Sequence, residues 1–61
     1  MVEQSEIWRA AGLLVDQNGA QALPVALRRV EELEQQGDFV GAATWRQIAA
    51  AVEEMSEALS H

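Results

Sequence analysis

The chain has 61 residues, with ten acids against four arginines, no lysine, no cysteine and one histidine, for a net charge of −6. Disulfides are therefore excluded, a metal staple lacks its usual Cys and His ligands, and the charge has the wrong sign for direct nucleic-acid or anionic-membrane binding. A domain of this size buries only about 60% of its unfolded surface, so its own core is marginal and association is expected.

The N-terminus, Met1-Val2-Glu3-Gln4-Ser5-Glu6, is acidic and lacks the basic and apolar regions of a secretion signal, and a cytoplasmic location is expected. The uncharged apolar stretch Ala10 to Val15 is far short of the ~20 residues of a membrane span. A first helix is predicted over about 5–18. Ser5 suits its N-cap, Glu6 suits the positive end of the helix dipole, and Asn18-Gly19 forms a stop. Ile7, Trp8, Ala11, Leu14 and Val15 have the spacing of one helical face. Gly12 inside it costs ~1 kcal/mol relative to Ala and is read as allowing a neighbouring helix to come close.

A second helix is predicted over about 22–36. Pro24 is tolerated in its first turn, Leu23, Ala26 or Leu27, Val30 and Leu33 form a narrow apolar stripe, and Gly37 ends it. Arg28 can reach Glu31 and Glu32, and Arg29 can reach Glu32, as solvated pairs contributing a few tenths of a kcal/mol. Asp38 then caps a third helix over about 38–59. Its Trp45, Ile48, Val52, Met55 and Leu59 alternate at spacings of three and four, and alanines wrap much of the remaining circumference.

The expected fold is all-α, one compact three-helix domain spanning 1–61. The very short turn at Gly37 sets the second and third helices side by side as an antiparallel αα-hairpin. Trp8, Ala11, Val15, Leu27, Val30, Leu33, Phe39, Trp45, Ile48 and Val52 form the expected core. At 1.5 Å per residue the third helix runs to roughly 33 Å and the other two to roughly 21 Å, so Met55 and Leu59 are expected to have little cover from their own chain unless the first helix is shifted along. That overhang, with the marginal core, points to a homodimer.

Residues suited to chemistry are sparse. Glu54, Glu57 and His61 share a helical face but sit on one terminus rather than on facing helices, so no metal is expected. Ser5, Thr44, Ser56 and Ser60 have no histidine base within the fold, and no glycine-rich loop is placed to hold a phosphate. No catalysis, cofactor or small-molecule substrate is expected. Trp8-Arg9 and Trp45-Arg46 repeat a dipeptide. Both indoles are expected in the core with the arginines reaching outward, the alternative being exposed aromatic and cationic anchors. Glu53, Glu54 and Glu57 occupy the last turns of the third helix, where each is unfavourable by roughly 0.3–1 kcal/mol against the helix dipole.

Ile7-Trp8-Arg9-Ala10-Ala11, Gly19, Ala26-x-Arg28-Arg29 and Gly37-Asp38-x-x-Gly41-Ala42-Ala43-x-Trp45-Arg46-x-Ile48 together resemble a family of small bacterial helical proteins of unknown function. The likeness covers about residues 6–56. It implies a helical domain of this size and brings no activity or site residues with it.

The function expected from the residues is a small acidic interaction module, self-associating and non-catalytic. It would bind a protein partner through Glu53, Glu54, Met55, Glu57 and Leu59. The alternative is an acidic inhibitor that imitates a phosphate track and occupies the channel of a basic nucleic-acid-binding target, as some phage anti-defence proteins do.

Overall fold

A computed structural model describes residues 3–59, with side chains as far as Glu57. The described chain is all-helical, and its Cα radius of gyration of 11.3 Å is close to the ~10.5 Å of a compact domain of this length. Helix α1 spans Gln4–Asn18, a 3₁₀ turn spans Gly19–Gln21, α2 spans Ala22–Gln35 and α3 spans Phe39–Leu59. No helix among the described residues is long and apolar enough to cross a membrane.

The expectation of three separated rods is corrected. Helical winding is unbroken from Gln4 to Gln35, so the chain forms two helical stretches, and the loop expected between the first and second helices is absent. Ala20, Gln21 and Ala22 favour continued winding, and the Ala22 N–H donates to the Gly19 carbonyl across the turn. Asn18, at φ −121° and ψ −12°, begins to leave helical geometry, and Gly19 leaves it outright. Its φ of 54° and ψ of −124° lie where side chains are not tolerated, and they bend the stretch. A straight helix from Gln4 to Gln35 would be roughly 48 Å long, yet the longest dimension of the molecule is 38 Å. At the bend the Asn18 side-chain amide donates to the Leu14 carbonyl at 3.0 Å, and the Gly19 N–H donates to Val15, so the end of α1 keeps its hydrogen bonds.

The N-terminal cap also differs from expectation. Ser5 lies inside the first turn, and the capping position is Glu3, whose carbonyl accepts from the N–H groups of Glu6 and Ile7 without a side-chain cap. Helix α1 therefore begins one residue early on backbone bonds alone.

At the other turn the chain closes tightly. The Gly37 N–H donates to Glu34 and the Asp38 N–H donates to Leu33, at 3.0 and 2.9 Å, with Gly37 at φ 78°. This is a Schellman closure of α2. Asp38 serves both helices, because its Oδ1 accepts from the Gly41 N–H at 2.9 Å and caps α3.

Helix α2 returns along α3. Val30 and Leu33 pack with Ala42 and Trp45, whereas Ala22, at the far end of α2, packs with Ile48, Ala51 and Val52. Helix α1 covers the later half of α3: Ile7 and Ala11 join Ala51 and Val52, and Gly12 faces the Met55 side chain. Trp45 touches both groups of buried residues.

The core is smaller in its side chains than expected. Ala11, Val30, Leu33, Ile48 and Val52 are buried as predicted, and Val15 and Trp45 are half-buried. Trp8, Leu27 and Phe39 are not core residues, being 37%, 51% and 68% exposed. Their expected places are taken by Ile7, Ala22, Ala26, Ala42, Ala49 and Ala51. Of the two adjacent candidates in α2, the small Ala26 is fully buried and Leu27 faces out, the choice expected where helices pack closely on small side chains.

Two glycine substitutions should move stability in opposite directions. A Cβ at Gly12 would meet Met55 Cε at an ordinary 4.0 Å, so Gly12→Ala should stabilise by up to ~1 kcal/mol. Gly37→Ala should cost about 1–2 kcal/mol in the left-handed region. Equilibrium urea unfolding measures both. A Cβ at Gly41 would lie 2.5 Å from Asp38 Oδ2, so Gly41→Ala must displace the cap. A double-mutant cycle should show it near neutral in the native chain and stabilising by about 1 kcal/mol once Asp38→Ala has removed the cap.

Candidate interaction surface

The polar chemistry of the described residues is sparse and superficial. No polar or charged side chain is buried, and no group of three or more acids and histidines is placed to hold a metal among the described residues. Arg29 pairs with Glu32 at 3.4 Å on the surface of α2. Arg28 makes no ion pair among the described residues, in contrast to its expected pairing with Glu31 or Glu32. Arg46 instead reaches from α3 to Glu34 of α2, a link between helices that local spacing does not reveal. Both partners are well exposed, so the pair contributes at most about 1 kcal/mol.

What distinguishes the surface is the outward side of α3. Phe39, Ala43, Arg46, Ala50, Glu53 and Glu57 recur at spacings of four and three, which puts them on one stripe, and all six are exposed. The stripe changes character along its length. Its first half is apolar and is broadened by Val40, 81% exposed; Arg46 lies at its middle; its last turns are acidic.

Beside this stripe α1 and α3 enclose a shallow pocket of about 170 Å³, lined by Gln4, Trp8, Gln47, Ala50, Ala51 and Glu54. Its origin is a size mismatch. Ala50 and Ala51 leave a depression between the longer Gln47 and Glu54 on α3, and Gln4 and Trp8, one turn apart on α1, flank it.

No protein-family model matches the chain, and comparison with curated proteins and with solved structures finds no significant match. The functional reading accordingly rests on this chain's own residues.

Of the residues expected to form an interaction face, Glu53, Glu54 and Glu57 are exposed. Met55 is corrected. It is half-buried and packed against the core beneath α1, next to Gly12, so the expected lack of cover at this position does not hold. The reason is that α1 lies over the later half of α3 instead of beside its beginning. The side chain of Leu59, and His61 altogether, lie outside the described residues. Hydrophobicity alone puts Phe39 in the core and gives Val40 no role. The signal that could reveal Phe39 is its place on the stripe opposite Ile48 and Val52, which is legible once those two are taken as the packed face; Val40 follows it in the first turn of α3 and is exposed there.

The repeated Trp-Arg dipeptide divides in the same way: Trp45 packs inside and Trp8 lies at the surface. With Trp45→Phe, the remaining indole emission should be red-shifted and readily quenched by acrylamide. With Trp8→Phe, it should be blue-shifted and protected. Equal quenching of the two variants would contradict the assignment.

Proposed function

We propose that the chain is a small, non-catalytic helical interaction module that docks a protein partner along the outward stripe of α3. In this reading the bent first helical stretch and α3 act together as three packed rods, and the stripe is the part of α3 that the other two leave open. The observation that carries the reading is the exposure of Phe39 and Val40, 68% and 81%, at the start of a stripe whose other end is acidic. Adjacent large apolar side chains left in water are a better mark of an interaction site than single ones, and a partner that covers them gains their burial.

The charge pattern bears on what that partner is. A second copy laid parallel would set Glu53 and Glu57 against their own equivalents. One laid antiparallel would set Phe39 against Glu57. A segment that is apolar at one end and basic at the other complements the stripe along its whole length. Self-association through the same apolar end is the competing arrangement, and sedimentation of the purified chain separates the two.

Phe39→Ser combined with Val40→Ser should leave urea unfolding within about 0.5 kcal/mol of the native chain, because neither residue is in the core. The same double variant should lose the partners captured by the native protein from its host. Retained capture would overturn the reading. Sedimentation as a dimer that the double variant abolishes would assign the stripe to self-association. Capture that is lost steeply with added salt, and that depends on Glu53, Glu54 and Glu57 rather than on Phe39 and Val40, would favour the phosphate-imitating inhibitor.

A further inference from the structure

Resting on that reading, we infer that the pocket between α1 and α3 receives a basic side chain of the partner, an arginine guanidinium or lysine ammonium inserted between the Trp8 indole and the Glu54 carboxylate. The two groups that favour a cation come from different helices and border one depression. An exposed indole offers a π face, and a carboxylate offers a counter-charge. Glu54 makes no ion pair or hydrogen bond with its side chain among the described residues, so its carboxylate is available. Gln4 and Gln47, whose side chains carry amide carbonyl acceptors, line the same depression from α1 and α3. An anionic ligand would meet Glu54 directly and Glu53 and Glu57 nearby, on a chain of net charge −6, so the pocket discriminates by sign. An apolar side chain would fill the volume but leave the carboxylate desolvated without a partner. A cation satisfies the depression, the indole and the acid together.

The pocket also lies beside the stripe, since Ala50 belongs to both. A partner helix seated on the apolar end would carry its basic residue into the pocket a few turns further along, which fixes the direction of docking.

The test is an NMR titration of the full ¹⁵N-labelled chain with N-acetyl-arginine amide, N-acetyl-lysine amide and the uncharged N-acetyl-norleucine amide. The two cations should shift the Trp8 indole N–H and the backbone amides of Gln47, Ala50, Ala51 and Glu54 saturably, leaving the Trp45 indole unmoved, and norleucine amide should not. Glu54→Gln should weaken the cation by about two- to fivefold, the range of an exposed charge pair. Ala50→Leu, which fills the depression from an exposed position without altering charge, should remove the saturable shifts while the chain stays folded. Shifts spread over Glu53 and Glu57 with Trp8 still, equal response to norleucine amide, an unaltered response in Glu54→Gln, or no saturable response to either cation would each overturn the proposal. Because these probes are single capped amino acids, their failure would leave the apolar stripe standing, and loss of the stripe in the Phe39 and Val40 variant would leave the pocket standing.

Discussion

The fold depends on close approach of helices at alanine. Of the eleven buried hydrophobic residues among those described, Ala11, Ala22, Ala26, Ala42, Ala49 and Ala51 are alanines, and they occur on α1, α2 and α3 alike. Small side chains at a seam let helical backbones come near and pack well, but each buries little apolar area. Among the described residues only Ile7 and Val52 are large and fully buried, and Trp45 is the one bulky residue that joins both groups of core contacts. Tight seams and a thin core go together in a chain of this length. The turn at Gly37 and Asp38 suits that geometry, because a Schellman closure shared with the next helix cap leaves no slack between α2 and α3.

The same constraint shapes the surface. A seam of alanines has no room for the larger apolar residues, so Leu27, Phe39, Val40 and Trp8 face outward although their sequence context would suit a core. The chain's net charge of −6 would, in the proposed reading, select against anionic partners. In the proposed reading, interaction capacity is a by-product of how the helices pack: the large apolar residues left outside the seam are the ones a partner would cover.

Much of this architecture is legible in the residues. The helical class, the tight turn at Gly37, the cap at Asp38 and the inward rhythm of Ile48 and Val52 all follow from local rules of periodicity and capping, which depend on near neighbours in the chain. Three features escape those rules, each for a tertiary reason. Asn18-Gly19 has the local signature of a loop, but one glycine among good helix formers bends the winding without ending it. Hydrophobicity alone assigns Leu27 and Phe39 inward, whereas interhelical distance decides between adjacent candidates, and distance is set by the alanines opposite. Helix lengths leave Met55 uncovered only if the helices start level. The placement of α1 over the later half of α3 is a long-range fact with no local signature. For the interaction surface, the exposed acids Glu53, Glu54 and Glu57 are readable from their unfavourable place at the end of a helix. The pocket beside Trp8 is not, since it is made by residues far apart in the sequence, Gln4 and Trp8 against Gln47 to Glu54.

The most direct test of the alanine seam is the unfolding free energy of Ala42→Leu, measured by urea denaturation. Ala42 is fully buried against Val30, Leu33 and Trp45. Close approach predicts that the added leucine overpacks the seam and lowers stability by about 1–3 kcal/mol, even though it adds hydrophobic surface. A variant as stable as the native chain, or more so, would mean that the helices are not held at alanine distance, and a crowded seam could not be what turns Leu27 and Phe39 outward.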